Sequence, residues 1–171
     1  MPRHGEQPNC TGYGNFYIQG KTMKILFVCT GNICRSPMAE VYFQDLCKKS
    51  QKNDIEVISA GIYAEENIPA SYEAVKLMSN CNIDLSKHKS RQVTEELLNS
   101  SDIIVVMTKS HRNTVIVSYN VTPEKVLLLH KFDNCTKDVF DPYGGNSSTY
   151  HKCFSEMKKA LDNLFLDIDK F

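Results

Sequence analysis

Four short β-rich segments punctuate the chain: Ile25-Leu26-Phe27-Val28, Ile55 to Ser59, Ile103-Ile104-Val105-Val106-Met107 and Val126 to Leu129. Turn-forming residues bound each of them, so they read as buried strands rather than helix fragments. Between them the apolar residues recur at intervals of three and four. Pro37 to about Lys49 sets Met38, Val41, Tyr42 and Leu46 on one side, with Pro37 in a first-turn position. Ala70 to Asn80 reads as a helix through Ala74, Leu77 and Met78, and Thr94 starts another with Glu95 and Glu96 in its first turn. A helix from about Ser110 to Tyr119 follows the third strand. The last helix carries Tyr150, Phe154, Met157, Leu161, Leu164, Phe165 and Ile168 as a core-facing stripe. Strands alternating with helices predict an α/β single-domain three-layer sandwich with a four-stranded parallel sheet, and ligands bind such sheets beyond the carboxyl ends of the strands.

Composition narrows the function. The 171 residues suit one domain, and 20 Lys+Arg balance 20 Asp+Glu, which gives no basic field for nucleic acid. No apolar run is long enough for a membrane span, so neither a nucleic-acid nor a membrane partner is expected. Residues 1–22 are rich in breakers and lack periodicity, and read as a flexible leader or a tag remnant ahead of a domain at 23–171. Seven cysteines, an odd number without a Cys-x-x-Cys pair, do not make a disulfide framework and point to a reducing, cytoplasmic setting. Free thiols then become candidates for chemistry. His88, His111, His130 and His151 show no metal-ligand spacing and read as surface or core histidines, and the run Lys87-His88-Lys89-Ser90-Arg91 reads as a solvated face.

The informative segment is Cys29-Thr30-Gly31-Asn32-Ile33-Cys34-Arg35-Ser36, which joins the first strand to the first helix. Such a loop turns successive backbone N–H groups inward, the helix adds its positive end, and the result is a phosphate site spanning Thr30 to Ser36. Gly31 is expected to allow a tight turn and Asn32 to take a left-handed conformation. A thiol in that field is expected to ionise, which makes Cys29 the candidate nucleophile. Arg35 offers a planar fork for two phosphate oxygens, and Ser36 a hydrogen bond to the sulfur. A Cys-x5-Arg pair alone is weak, since it arises by chance in roughly one such chain in six, and a strand-end Cys is often only a small buried hydrophobe. Its setting between a strand and a Pro-started helix gives it weight.

The run Leu26 to Glu40 resembles the signature of the low-molecular-weight protein-tyrosine phosphatases, and Ser59-Ala60-Gly61, Asp102 to Thr108 and Asp141-Pro142-Tyr143-Gly144-Gly145 extend the likeness over about 24 to 168. The resemblance implies a cysteinyl-phosphate intermediate on Cys29, a clamp at Arg35 and a general acid and base at Asp141, with no metal and no cofactor. It also implies that Asn32 and Ser59 support the loop and that Cys34 forms a reversible disulfide protecting the nucleophile, beside which a passive packing role stays open. Ile33, Tyr63 and Tyr143 are candidate walls for a phenyl ring.

The implied partners are phosphotyrosine proteins, and three rivals compete. The bacterial protein-arginine phosphatase branch is similar at Ser59-Ala60-Gly61, Thr94-Glu95-Glu96-Leu97 and Asp141 to Gly145, but typically carries Thr where this chain has Ile33. An Ile side chain suits a flat apolar ring, whereas a hydroxyl suits a phosphoguanidinium. A thioredoxin-coupled arsenate reductase would need relay cysteines after the central strand, and Thr108 to Arg112 holds none. A non-catalytic phosphotyrosine binder would need no nucleophile and acid together.

Overall fold

A computed structural model describes residues 22–171; the expected leader, apart from Thr22, lies outside the described residues. Strands β1 (Met23–Cys29), β2 (Ile55–Gly61), β3 (Ile103–Val106) and β4 (Val126–Leu128) form one parallel sheet in the order β2-β1-β3-β4. Five helices accompany them: α1 (Arg35–Lys49), α2 (Tyr72–Asn80), α3 (Glu95–Ser100), α4 (Lys109–Ser118) and α5 (Ser147–Asp167). The α/β sandwich expected from the alternation is the observed fold.

The strands are apolar on both sides because both faces of the sheet are covered. Ile25, Phe27 and Cys29 of β1 and Ile103 and Val105 of β3 pack with α1, α2 and α5, where Phe43, Met78, Met157 and Leu161 are buried. Leu26 and Val28, with Ile104 and Val106, face the other way onto Leu98 of α3 and Val115 of α4. The α5 stripe is core: Tyr150, Phe154, Met157, Leu161 and Leu164 are buried, and Ile168 follows in a short 3-10 turn.

Side chains fix where the helices start. Ser71, Thr94, Thr108 and Asn146 each accept a backbone N–H three residues on, which satisfies donors that a helix leaves unpaired. These caps place α2 and α4 one or two residues away from the starts that hydrophobic spacing suggests. Helix α1 begins at Arg35, with Pro37 in its first turn and no acidic residue there to cancel its positive end. Chain direction on the sheet diverges at β1, whose neighbours are β2 and β3, and the β1–α1 loop emerges in the crevice that this divergence opens.

Candidate active site

The loop leaving β1 wraps around the sulfur of Cys29. The Asn32 N–H donates to Sγ at 3.3 Å, and the Ser36 hydroxyl lies 2.9 Å from it. Asn32 sits at φ 55°, the expected left-handed conformation, and is fully buried. Its amide nitrogen donates to Ser36 Oγ at 2.9 Å and to Ser59 Oγ at 2.8 Å. Ser36 Oγ accepts from Asn32, so its own hydrogen goes either to the sulfur at 2.9 Å or to the Ala60 carbonyl at 3.5 Å, and the shorter contact is to the sulfur. Ser59 in turn donates to Glu40 of α1, so loop, strand and helix share one network.

Gly31 lies in the bend after β1, as expected, but nothing at that position requires a glycine. It adopts no left-handed conformation, and a Cβ there would meet only Ile33 at an ordinary 3.8 Å. The glycine on which the loop depends is Gly61, the last residue of β2 and the register partner of Cys29. A Cβ at Gly61 would lie 2.5 Å from the Thr30 carbonyl oxygen and 2.9 Å from the Asn32 nitrogen. Hydrophobic patterning marks Gly61 only as the end of a strand.

The run 87–91 also departs from expectation, because it braces the loop. His88 Nε2 lies 2.8 Å from the Asn32 carbonyl oxygen, the Arg91 N–H donates to Asn32 Oδ1 at 2.9 Å, and Ser90 is buried. Burial pushes the His88 ring below its ordinary value. Its neutral form fits a bond in which Nε2–H donates to that carbonyl.

Arg35 extends across the mouth of the loop. One terminal nitrogen donates to Asp141 Oδ2 at 2.8 Å and to Thr30 Oγ1 at 3.3 Å, and the other reaches the Val139 carbonyl at 3.3 Å. The guanidinium is 5% exposed and the carboxylate 51%, so a fixed cation meets an acid that retains room to move. Asp141 Oδ1 accepts the Tyr143 N–H at 3.2 Å, which shapes the Asp-Pro turn.

His111, which spacing leaves as an ordinary histidine, stands behind this pair. Its Nε2 lies 2.9 Å from Thr30 Oγ1, and Nδ1 is buried with no hydrogen-bond partner among the described residues. Burial first, and the Arg35 charge second, push the ring down to about 4. A neutral ring beside Thr30 adds no positive charge to compete with Arg35. Its position at the start of α4, just past the end of β3, is the signal that could have found it.

Cys29, Thr30, Gly31, Ile33, Cys34, Arg35, Asp141 and Tyr143 line a cavity of about 240 Å³. Tyr63 is not among them: it stands 77% exposed on the loop after β2, and its N–H binds the Thr30 carbonyl. Cys34 is buried, with Sγ 3.1 Å from the Tyr150 hydroxyl and 3.5 Å from Ser71 Oγ, and burial raises its pKa. Among the described cysteines, only Cys29 and Cys34 reach the cavity.

A model of the low molecular weight phosphotyrosine protein phosphatases matches residues 24–171. The chain belongs to this family. It is 36% identical to a protein-arginine-phosphatase of Bacillus subtilis over 149 residues, which make up 86% of this chain and 98% of that one. The structure of a low molecular weight protein tyrosine phosphatase from T. tengcongensis superposes with a TM-score of 0.79 at 39% identity, covering 87% of this chain and 99% of the other. That of the YwlE arginine phosphatase, with a phosphorylated active site serine, gives 0.81 at 34% identity, over 86% and 97% of the two chains. The four-stranded parallel sheet with helices on both faces is thus the fold of this phosphatase family, and no helix among the described residues is long and apolar enough to cross a membrane.

Proposed function

We propose that this phosphatase hydrolyses phosphotyrosine in proteins, with Cys29 as nucleophile, Arg35 as phosphate clamp and Asp141 as general acid and base. Phosphate oxygens take the backbone N–H groups of Thr30 to Ser36 and the Arg35 fork. The phosphate then competes with Asp141 for the same guanidinium edge and frees the carboxyl to turn toward the leaving oxygen. Cys29 Sγ attacks phosphorus in line: the S–P bond forms as the P–O ester bond breaks, and Asp141 gives its proton to the departing phenol. In the second step the Asp141 carboxylate takes a proton from water, which attacks phosphorus and returns the sulfur with inorganic phosphate as product. The Asn32 N–H and the Ser36 hydroxyl stabilise negative charge on sulfur before attack and after release. Asn32 and Ser59 hold the loop in shape, and the buried Cys34 thiol is available for a protective disulfide once the nucleophile is oxidised.

The observation that carries the substrate reading is Ile33. It places an aliphatic side chain on the cavity wall, with Tyr143 as another wall residue, which suits an apolar ring better than a guanidinium. Likeness to named arginine phosphatases favours a second reading, phosphoarginine. Steady-state rates on phosphotyrosine and phosphoarginine peptides separate the two. The parent chain should prefer phosphotyrosine, and Ile33→Thr should shift the ratio toward phosphoarginine by about tenfold or more. Faster turnover of phosphoarginine by the parent would overturn the substrate assignment.

A further inference from the structure

The turn after β4 gathers three metal-binding side chains away from the reaction cavity. His130, Asp133 and Cys135 each present a ligand atom, and these atoms all lie within 4.8 Å of one another. None of the three lines the cavity around Cys29.

The backbone builds this cluster. Leu129–Asp133 forms a 3-10 turn, Asn134 takes φ 58°, and the chain doubles back so that the Cys135 N–H donates to the His130 carbonyl at 3.1 Å. Asp133 Oδ1 also accepts the Cys135 N–H, at 3.1 Å, while Oδ2 lies 3.0 Å from His130 Nδ1. One carboxylate oxygen is thereby anchored from outside, as an outer hydrogen bond does for a metal ligand, and the other pairs with the ring nitrogen, a contact that a bound cation would replace. The His130 and Asp133 side chains are nearly buried, whereas Cys135 is half-buried and within reach of solvent. All three donors sit on the wall of a second cavity of about 570 Å³ that also carries Lys137, Lys152 and Glu156.

We propose that His130, Asp133 and Cys135 form a binding site for one zinc-class divalent cation. Imidazole nitrogen, carboxylate oxygen and thiolate sulfur together suit a borderline-soft cation, not the all-oxygen shell of magnesium or calcium. Three protein ligands leave a fourth tetrahedral position, which faces the second cavity and has room for water. On binding, the thiol proton leaves to solvent and the imidazole carries its remaining proton on Nε2, so that Nδ1, Sγ and Asp133 Oδ2 are free to ligate. The cation ties together the turn that leads directly into Asp138 to Asp141.

Cobalt(II) reports such a site, because thiolate ligation gives a near-ultraviolet charge-transfer band. The full chain carrying Cys29→Ser, which removes the reaction-cavity thiol, is titrated anaerobically with cobalt chloride. The band should saturate at one equivalent and vanish on adding zinc. It should be lost with Cys135→Ser, while His130→Gln weakens cobalt binding tenfold or more. Zinc should raise the Tm of the Cys29→Ser chain and not that of the chain also bearing Cys135→Ser, whose unliganded Tm and circular dichroism confirm folding. Absence of a saturable band, or a band surviving Cys135→Ser, overturns the site.

Discussion

A single methyl group at Gly61 tests how tightly the phosphate loop is positioned. Gly61 is held from both sides, since its N–H donates to the Arg91 carbonyl at 2.9 Å and its carbonyl accepts the Val93 N–H at 2.8 Å. The strand therefore has little freedom to retreat from a new Cβ, and the loop must move. The added carbon would stand 2.5 Å from the Thr30 oxygen and 2.9 Å from the Asn32 nitrogen. To regain an ordinary contact of 3.4 Å, the Thr30 carbonyl has to shift by about 0.9 Å. A displacement of ~1 Å between reacting groups costs roughly 10²-fold in rate, equivalent to about 2.7 kcal/mol of barrier. Overpacking itself costs ~1–3 kcal/mol of stability, a fall of several degrees in Tm. Gly61→Ala should therefore remain folded, with kcat on p-nitrophenyl phosphate reduced about 10²-fold. Initial-rate kinetics and a thermal melt measure both. A folded variant with kcat within about threefold of the parent would refute the reasoning, because the loop would then tolerate displacement.

Three further outcomes follow from the same geometry. Cys29→Ser should abolish hydrolysis of p-nitrophenyl phosphate while inorganic phosphate still binds by calorimetry; retained turnover would assign the attack to another group. Asp141→Ala should lower kcat by about 10²-fold on aryl esters with poor leaving groups and much less on those that depart without a proton, as a leaving-group series would record. His111 titrates at about 4 in the folded chain against an ordinary 6.5. The unfolded chain therefore protonates first, and stability falls as pH drops from about 6.5 to about 4 before levelling off. Urea titrations at stepped pH should show a shallower slope in His111→Asn, and an unchanged slope would contradict the buried neutral ring.

The parts of the molecule legible from the residues alone are those encoded locally, whereas the distant Ser59 and Asp141 were legible only through the family resemblance. Ile25 to Val28 and Ile103 to Val106 announce buried strands because both their faces are covered. The stretch Cys29 to Ser36 is one continuous segment whose hydrogen-bonding groups fold back on its own sulfur, so its chemistry survives a linear reading. Asn32 was readable for the same reason: its left-handed backbone is a property of the residue type. Gly61, His88, Arg91 and His111 were not readable, because each acts on the loop from a distant segment. A charged run such as Lys87 to Arg91 looks solvated until the fold turns its backbone toward Asn32. Tyr63, a candidate wall residue, stands exposed on the loop after β2 and is not among the residues lining the cavity.

The pairing of Arg35 with Asp141 spans 106 positions, and the bracing of Asn32 by Arg91 spans 59. A polypeptide emerging from the ribosome thus releases its sulfur more than a hundred residues before the acid that completes its chamber. Contacts of such separation carry a loop-closure cost that must be met before they contribute, which slows the folding of chains that depend on them. Truncated or half-folded species accordingly lack the acid arm, and enzymatic turnover doubles as a gauge of whether the entire domain has assembled.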